Sequence, residues 1–336
     1  MISPVVRAGK SPMRRRRVLF AIRNPESKKQ PGLAKAIQVA RAMDASIELF
    51  HALTGAVFID LGQYGKDSAD ASREQLEGEA RIHLLRHCAV ARKHGLEASS
   101  TVEWDYPAHE AIVRRAQTLG ADLIIAECHR GARTQPWMFH LTDWELLRTS
   151  PVPVLLLRGS RPYHRPLVLA AVDPAHAHAK PAKLDERIFA AATEMSKGLS
   201  GKLHVVHANY PSIVGTSPTV GRTWATLSFE ELKEQERQAF DDFRARAQIP
   251  RTRAHLLEGN PAEEIPRFAR QMGADLLVMG ALSRSGLQRI FIGNTAERIL
   301  GALACDVLVV KPAEFASRVG RAPRGMRVQV PSSMVS

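Results

Sequence analysis

Gly280, Ser283, Arg284, Gly286, Gly293, Asn294 and Thr295 are the residues of this 336-residue chain whose types and spacing could do chemistry. They follow an apolar, β-branched-rich run, Leu276 to Met279, and lead into a helical pattern in which Ile299, Leu300 and Leu303 share one face. Asn294 stands as an N-cap with Glu297 three residues on, the spacing of a capping box. A strand, a glycine-bearing loop and a helix start, in that order, form an anion site, because the unpaired N–H groups of the first turn and the macrodipole both favour negative charge. Glycines 280 and 293 let the backbone approach a phosphate closely, and Arg284 and Arg289 add positive charge. An ordinary βαβ connection fits the same residues, since neither a Walker loop nor a dinucleotide fingerprint is present.

Such a loop needs a strand before it and a helix behind it, and the chain supplies that scheme twice. Strands are expected at 18–23, 46–50, 98–102, 123–126 and 151–157, helices at 33–44 and 72–94, and a long loop over 51–71. Pro107 opens a third helix. Residues 167–311 repeat the scheme. LVLAAVDP at 167–174 matches VLFAIRNP at 18–25, which pairs Asp173 with Asn24. PAEEIPRFARQMGADLLVM at 261–279 matches PAHEAIVRRAQTLGADLIIA at 107–126, and the halves then run without a gap from Asp122 and Asp275. An internal match of this kind signals a duplicated domain. Alternating strands and helices imply a doubly wound, mainly parallel α/β sheet in each copy.

The expected organisation is a basic disordered tail at 1–17, a first domain at 18–158, a linker at 159–166, a second domain at 167–312 and a second basic disordered tail at 313–336. The linker is too short to separate the copies, so they should pack as a pseudo-dimer. Gly280 falls on Glu127, Ser283 on Arg130 and Gly293 on His140, so the first copy keeps the frame and loses the glycines. The first copy is therefore read as structural or partner-binding, and any phosphate site belongs to the second.

The loop and the blocks TDWELLR (142–148), GNTAERIL (293–300) and CDVLVVKP (305–312) resemble the universal stress protein family in its tandem, E-type form. The family frame is Gly, two residues, Gly, nine residues, then Gly and a hydroxyl residue; here Ser283 takes the second glycine's place and Asn294 the hydroxyl's. The resemblance spans about 18–312. It implies ATP, with Mg²⁺, as the ligand of the second domain and a role in stress resistance, with slow hydrolysis or phosphorylation as regulation. It also makes Asp173 the residue at the end of the first strand that meets the nucleoside; a cap on the turn before Pro174 is the competing role. Val172 and Val206 would wall the base, or simply pack in the core.

Catalytic residues are not identified: Gly-x-Ser-x-Gly and His-Glu-x-x-His are missing. No metal site is expected either. His176 and His178 form His-x-His, but His204 and His207 are three apart in a strand and point to opposite faces. Cys88, Cys128 and Cys305 are far apart, which suits a reducing cytoplasm. No apolar run approaches the roughly 18 residues of a membrane span. Of the net charge of +13, residues 1–17 carry +6 and residues 313–336 carry +3, leaving +4 for the rest. Nucleic acid would thus be held only through the tails. The rival reading is a non-enzymatic interaction protein without ATP, taking another anionic or lipid-like ligand, protein partners or a second copy of itself.

Overall fold

The computed structural model describes residues 14–58, 66–128, 141–175, 183–209, 229–280, 294–325 and 327–329. The first copy runs β1 (Arg16–Ala21), α1 (Leu33–Ala42), β2 (Ala45–Leu53), β3 (Ala56–Phe58), α2 (Lys66–Lys93), β4 (Ala98–Trp104), α3 (Ala108–Leu119), β5 (Leu123–Glu127), α4 (Leu141–Thr149) and β6 (Val154–Leu157). The second runs β7 (Leu167–Ala171), α5 (Leu184–Gly198), β8 (Lys202–Asn209), α6 (Phe229–Arg246), β9 (Ala254–Glu258), α7 (Pro261–Gln271), β10 (Leu276–Gly280), α8 (Asn294–Ala302) and β11 (Asp306–Val310), with β12 (Arg327–Gln329) beyond it.

Ten strands form one sheet in the order β4-β2-β1-β5-β6-β11-β10-β7-β8-β9. Pairing is parallel within each copy, and the copies join where β6 and β11 pair antiparallel, Leu155 opposite Leu308. The strands are nearly continuous apolar runs because both faces are covered. One core lies under α1, α2, α5 and α6, the other under α3, α4, α7 and α8, and each runs through both copies. The expected pair of doubly wound domains packed as a pseudo-dimer is the observed architecture.

The seam is also polar. Asp306, 2% exposed, accepts from the backbone N–H of Arg158 (2.7 Å) and Gly159 (3.1 Å), from Tyr163 Oη (2.6 Å) and from Lys35 Nζ. The segment joining the copies is thus strapped to the second copy through one carboxylate, and Lys35 of α1 completes its pairing. The Arg158 guanidinium donates to Leu300 O (3.0 Å) and Leu303 O at the end of α8, where a cation is favoured. Arg148 reaches across to Glu297 at 2.8 Å.

Three expectations need correction. The basic stretch 14–17 is not a tail: β1 begins at Arg16, and Arg17 donates through its N–H to Asp122 Oδ2 (2.8 Å) and through Nη1 to Leu119 O (2.6 Å). Arg15 pairs with Glu97 at 2.6 Å and Arg16 with Glu194, so local acids and helix-end carbonyls take up this charge. Residues 312–325 likewise run back over the first copy. Ser317 Oγ donates to Thr149 O (2.8 Å), Val319 enters the core, and Arg324 donates from its N–H to Asp105 Oδ1 (2.9 Å) and from Nη2 to Glu110 Oε1 (2.8 Å). Asp105, fully buried, also takes a bidentate pair from Arg114. Finally, β3 interrupts the expected 51–71 loop and pairs parallel with β12.

Candidate functional site

In each copy the strand order turns back at the first and fourth strands, β1 beside β5 and β7 beside β10. Successive connections there leave for opposite faces of the sheet, which opens a crevice at the carboxyl ends of those strands. In the second copy Met279 lies opposite Ala171, so Gly280 and the residues after β7 end side by side. Gly280 continues in register with Val310 of β11.

Asp173 stands at this crevice, half-buried. Its N–H donates to Asp185 Oδ1 (3.0 Å) in the first turn of α5, and its carboxylate lies 3.9 Å from His207 Nδ1. His207, 2% exposed, donates from Nδ1 to Val172 O (3.1 Å), stacks on Phe240 at 5.7 Å and has Glu236 at 3.9 Å from Nε2. His51 does the same in the first copy, Nδ1 to Ile22 O at 2.8 Å. An imidazole on the second strand, buried in the second copy and half-buried in the first, therefore fixes the end of the first strand in both copies. Sequence spacing weighed His207 only as a metal ligand and did not single out Asp185; a histidine preceded by an apolar strand residue in each half was the available signal for the pinning role.

The strand registers revise the internal alignment. Asp122 N–H donates to Arg17 O, as Asp275 N–H does to Leu167 O. Ile22 N–H donates to Phe50 O, as Val172 N–H does to Val206 O. Val172 therefore corresponds to Ile22, and the counterpart of Asp173 is Arg23, not Asn24. A slip of one residue would have turned every side chain of the strand to the wrong face.

Val172 is 4% exposed and belongs to the α5–α6 core, whereas Val206 is fully buried in the core beneath α7 and α8. They lie on opposite sides of the sheet and do not wall a common space, so the core role fits Val206. Gly280 is tied to packing: a Cβ there would stand 2.6 Å from Leu184 Cδ2 and 3.1 Å from Ile188 Cδ1. Asn294 is the first residue of α8 and Thr295 is exposed. Glu297 of that first turn pairs with Arg148. Ser283, Arg284, Gly286 and Gly293 lie outside the described residues.

His204 and His207 do face opposite ways. His204 Nδ1 is 2.9 Å from His255 Nε2, with the rings stacked at 5.2 Å, and His255 packs on Phe268. Burial lowers the pKa of both histidines, and for His204 the neighbouring His255 adds to it. No cluster of three metal-binding side chains occurs among the described residues, and none of the helices described is long and apolar enough to cross a membrane.

Comparison with known proteins agrees with this architecture. The Universal stress protein family matches twice, over residues 14–158 and 168–311. Universal stress protein E of Escherichia coli (strain K12) is 24% identical over 302 residues, covering 90% of this chain and 96% of that one. A universal stress protein structure from Pseudomonas aeruginosa UCBPP-PA14 superposes with a TM-score of 0.68 at 25% identity, covering 90% and 95%. One from Archaeoglobus fulgidus, 15% identical, shares the fold at a TM-score of 0.59 over 87% and 98%. With two matched copies joined in one sheet, the chain belongs to the stress-related universal stress protein family as a tandem, E-type member.

Proposed function

We propose that the second copy is the nucleotide-binding half of this stress protein, holding ATP with Mg²⁺ at the β7–β10 crevice. The observation that carries this reading is the placement of Asp173 and Gly280 at adjacent strand ends, with the next helix beginning at Asn294. Asp173 is suited to accept hydrogen bonds from the ribose or the adenine amine, and the first N–H groups of α8 are suited to the phosphates. The chain between Gly280 and Asn294, containing Ser283, Arg284, Gly286 and Gly293, would wrap them. Nucleotide occupancy then changes a surface that partners read, in a cytoplasmic protein without a dedicated catalyst.

Calorimetric titration of ATP into wild type and Gly293→Trp tests this reading. ATP should bind wild type and lose at least about tenfold in affinity in the variant. Equal affinity, or no binding by either protein, would remove the site and leave the interaction-protein reading.

A further inference from the structure

The first copy carries a cleft of its own at the corresponding corner. A cavity of about 380 Å³ opens at the carboxyl ends of β1, β5 and β6, with Arg23, Asn24, Lys29, Glu127, Leu157 and Arg158 in its lining. That volume lies at the small end of the range for ligand pockets, roughly 300–1,000 Å³.

Its charges differ from those of the second copy. Arg23 stands where the second copy has Asp173, and Glu127 where it has Gly280. Arg23 and Lys29 are exposed at the cleft and form no ion pair with any described residue. Glu127 Oε1 accepts the N–H of Gly32 at the start of α1, while Oε2 has no partner among the described residues. Leu157, 3% exposed, supplies an apolar wall.

This set of groups does not suit a nucleoside triphosphate. The acid that would accept from the nucleoside is an arginine, and a carboxylate stands at the strand end where the other copy offers only backbone. Two cations without an ion pair among the described residues will hold one anionic group, whereas a carboxylate on the same cavity wants a donor. We propose that the first-copy cleft binds a small molecule bearing a phosphate or carboxylate together with an ammonium or hydroxyl group, the anion held by Arg23 and Lys29 and the donor by Glu127.

Calorimetry on the full chain with O-phosphoserine and with inorganic phosphate tests this assignment. O-phosphoserine should bind at least about tenfold more tightly than phosphate, since only it satisfies Glu127. The double variant Arg23→Ala/Lys29→Ala, changed only at exposed positions, should lose at least about tenfold for both. Glu127→Gln keeps an oxygen for Gly32, yet should bring O-phosphoserine down to the affinity of phosphate. Gly293→Trp should leave O-phosphoserine binding intact, which separates this site from the nucleotide reading. No O-phosphoserine binding, affinity no better than phosphate, or affinity unchanged in the double variant or in Glu127→Gln would overturn the proposal.

Discussion

The two copies share a backbone plan and a histidine pin, yet they end their strands in opposite chemistry. Where β7 and β10 end, the second copy presents Asp173 and Gly280; where β1 and β5 end, the first presents Arg23 and Glu127. The difference extends to the last strand of each copy. Arg158 after β6 donates to the carbonyls ending α8, whereas its counterpart Lys311 after β11 is 3% exposed and meets the Phe315 ring at 4.5 Å. Duplication preserved what the sheet needs, two apolar faces and a pinned strand end. It left free the residues that face a ligand or the partner copy.

The largest expected effect lies at the seam. Asp306→Ala leaves the buried Lys35 amine with no acidic partner among the described residues, and should cost about 3–5 kcal/mol in chemical denaturation. Changing its counterpart Pro153 to Ala should cost about 1 kcal/mol or less. Equal losses would mean that the seam is symmetric.

Lys311 and Arg158 should respond with opposite signs. Burial lowers the Lys311 pKa from 10.5 to about 8. Below pH 8 the amine is protonated in both folded and unfolded protein, so the full penalty is present at neutral pH. Stability should then rise from about pH 8 to 10.5, where the folded protein binds fewer protons. Lys311→Met should stabilise by roughly 2–3 kcal/mol at pH 7 and abolish that rise. Arg158→Met should destabilise by about 1–2 kcal/mol, because it strips the donors from Leu300 and Leu303.

Gly280→Ala drives a methyl against Leu184, itself 3% exposed, and should cost about 1–3 kcal/mol. Glu127→Ala at the equivalent position loses one acceptor for Gly32 and should cost about 1 kcal/mol. The smallest effect is expected at the His204–His255 contact. Both pKa values are depressed on folding, so stability falls as pH drops below the ordinary histidine value of 6.5. His255→Phe should flatten that acid limb by about 0.5 kcal/mol.

Much of the fold was legible from periodicity and from the internal match. DLIIA and DLLVM, read against each other, locate β5 and β10 and force a parallel sheet in each half. The register of β1 against β7 was not legible. Letters alone matched LVLAAVDP to VLFAIRNP one residue out of step, and only the backbone hydrogen bonds put Arg23 opposite Asp173. The Asp306 node joins residues 35, 158, 163 and 306, and no local spacing reports contacts at such separations. The same holds for β3 and β12, three residues each and about 270 positions apart, and for Arg324 at Asp105. Arginine-rich ends read as solvated tails because their acidic partners lie elsewhere in the chain.

The asymmetry between the copies is the central claim, and the number of nucleotides bound per chain tests it most directly. Native mass spectrometry with ATP should show one nucleotide per chain in wild type and none in Asp173→Ala, while Arg23→Ala keeps it. Two nucleotides per chain, or one that survives Asp173→Ala and disappears in Arg23→Ala, would contradict the account.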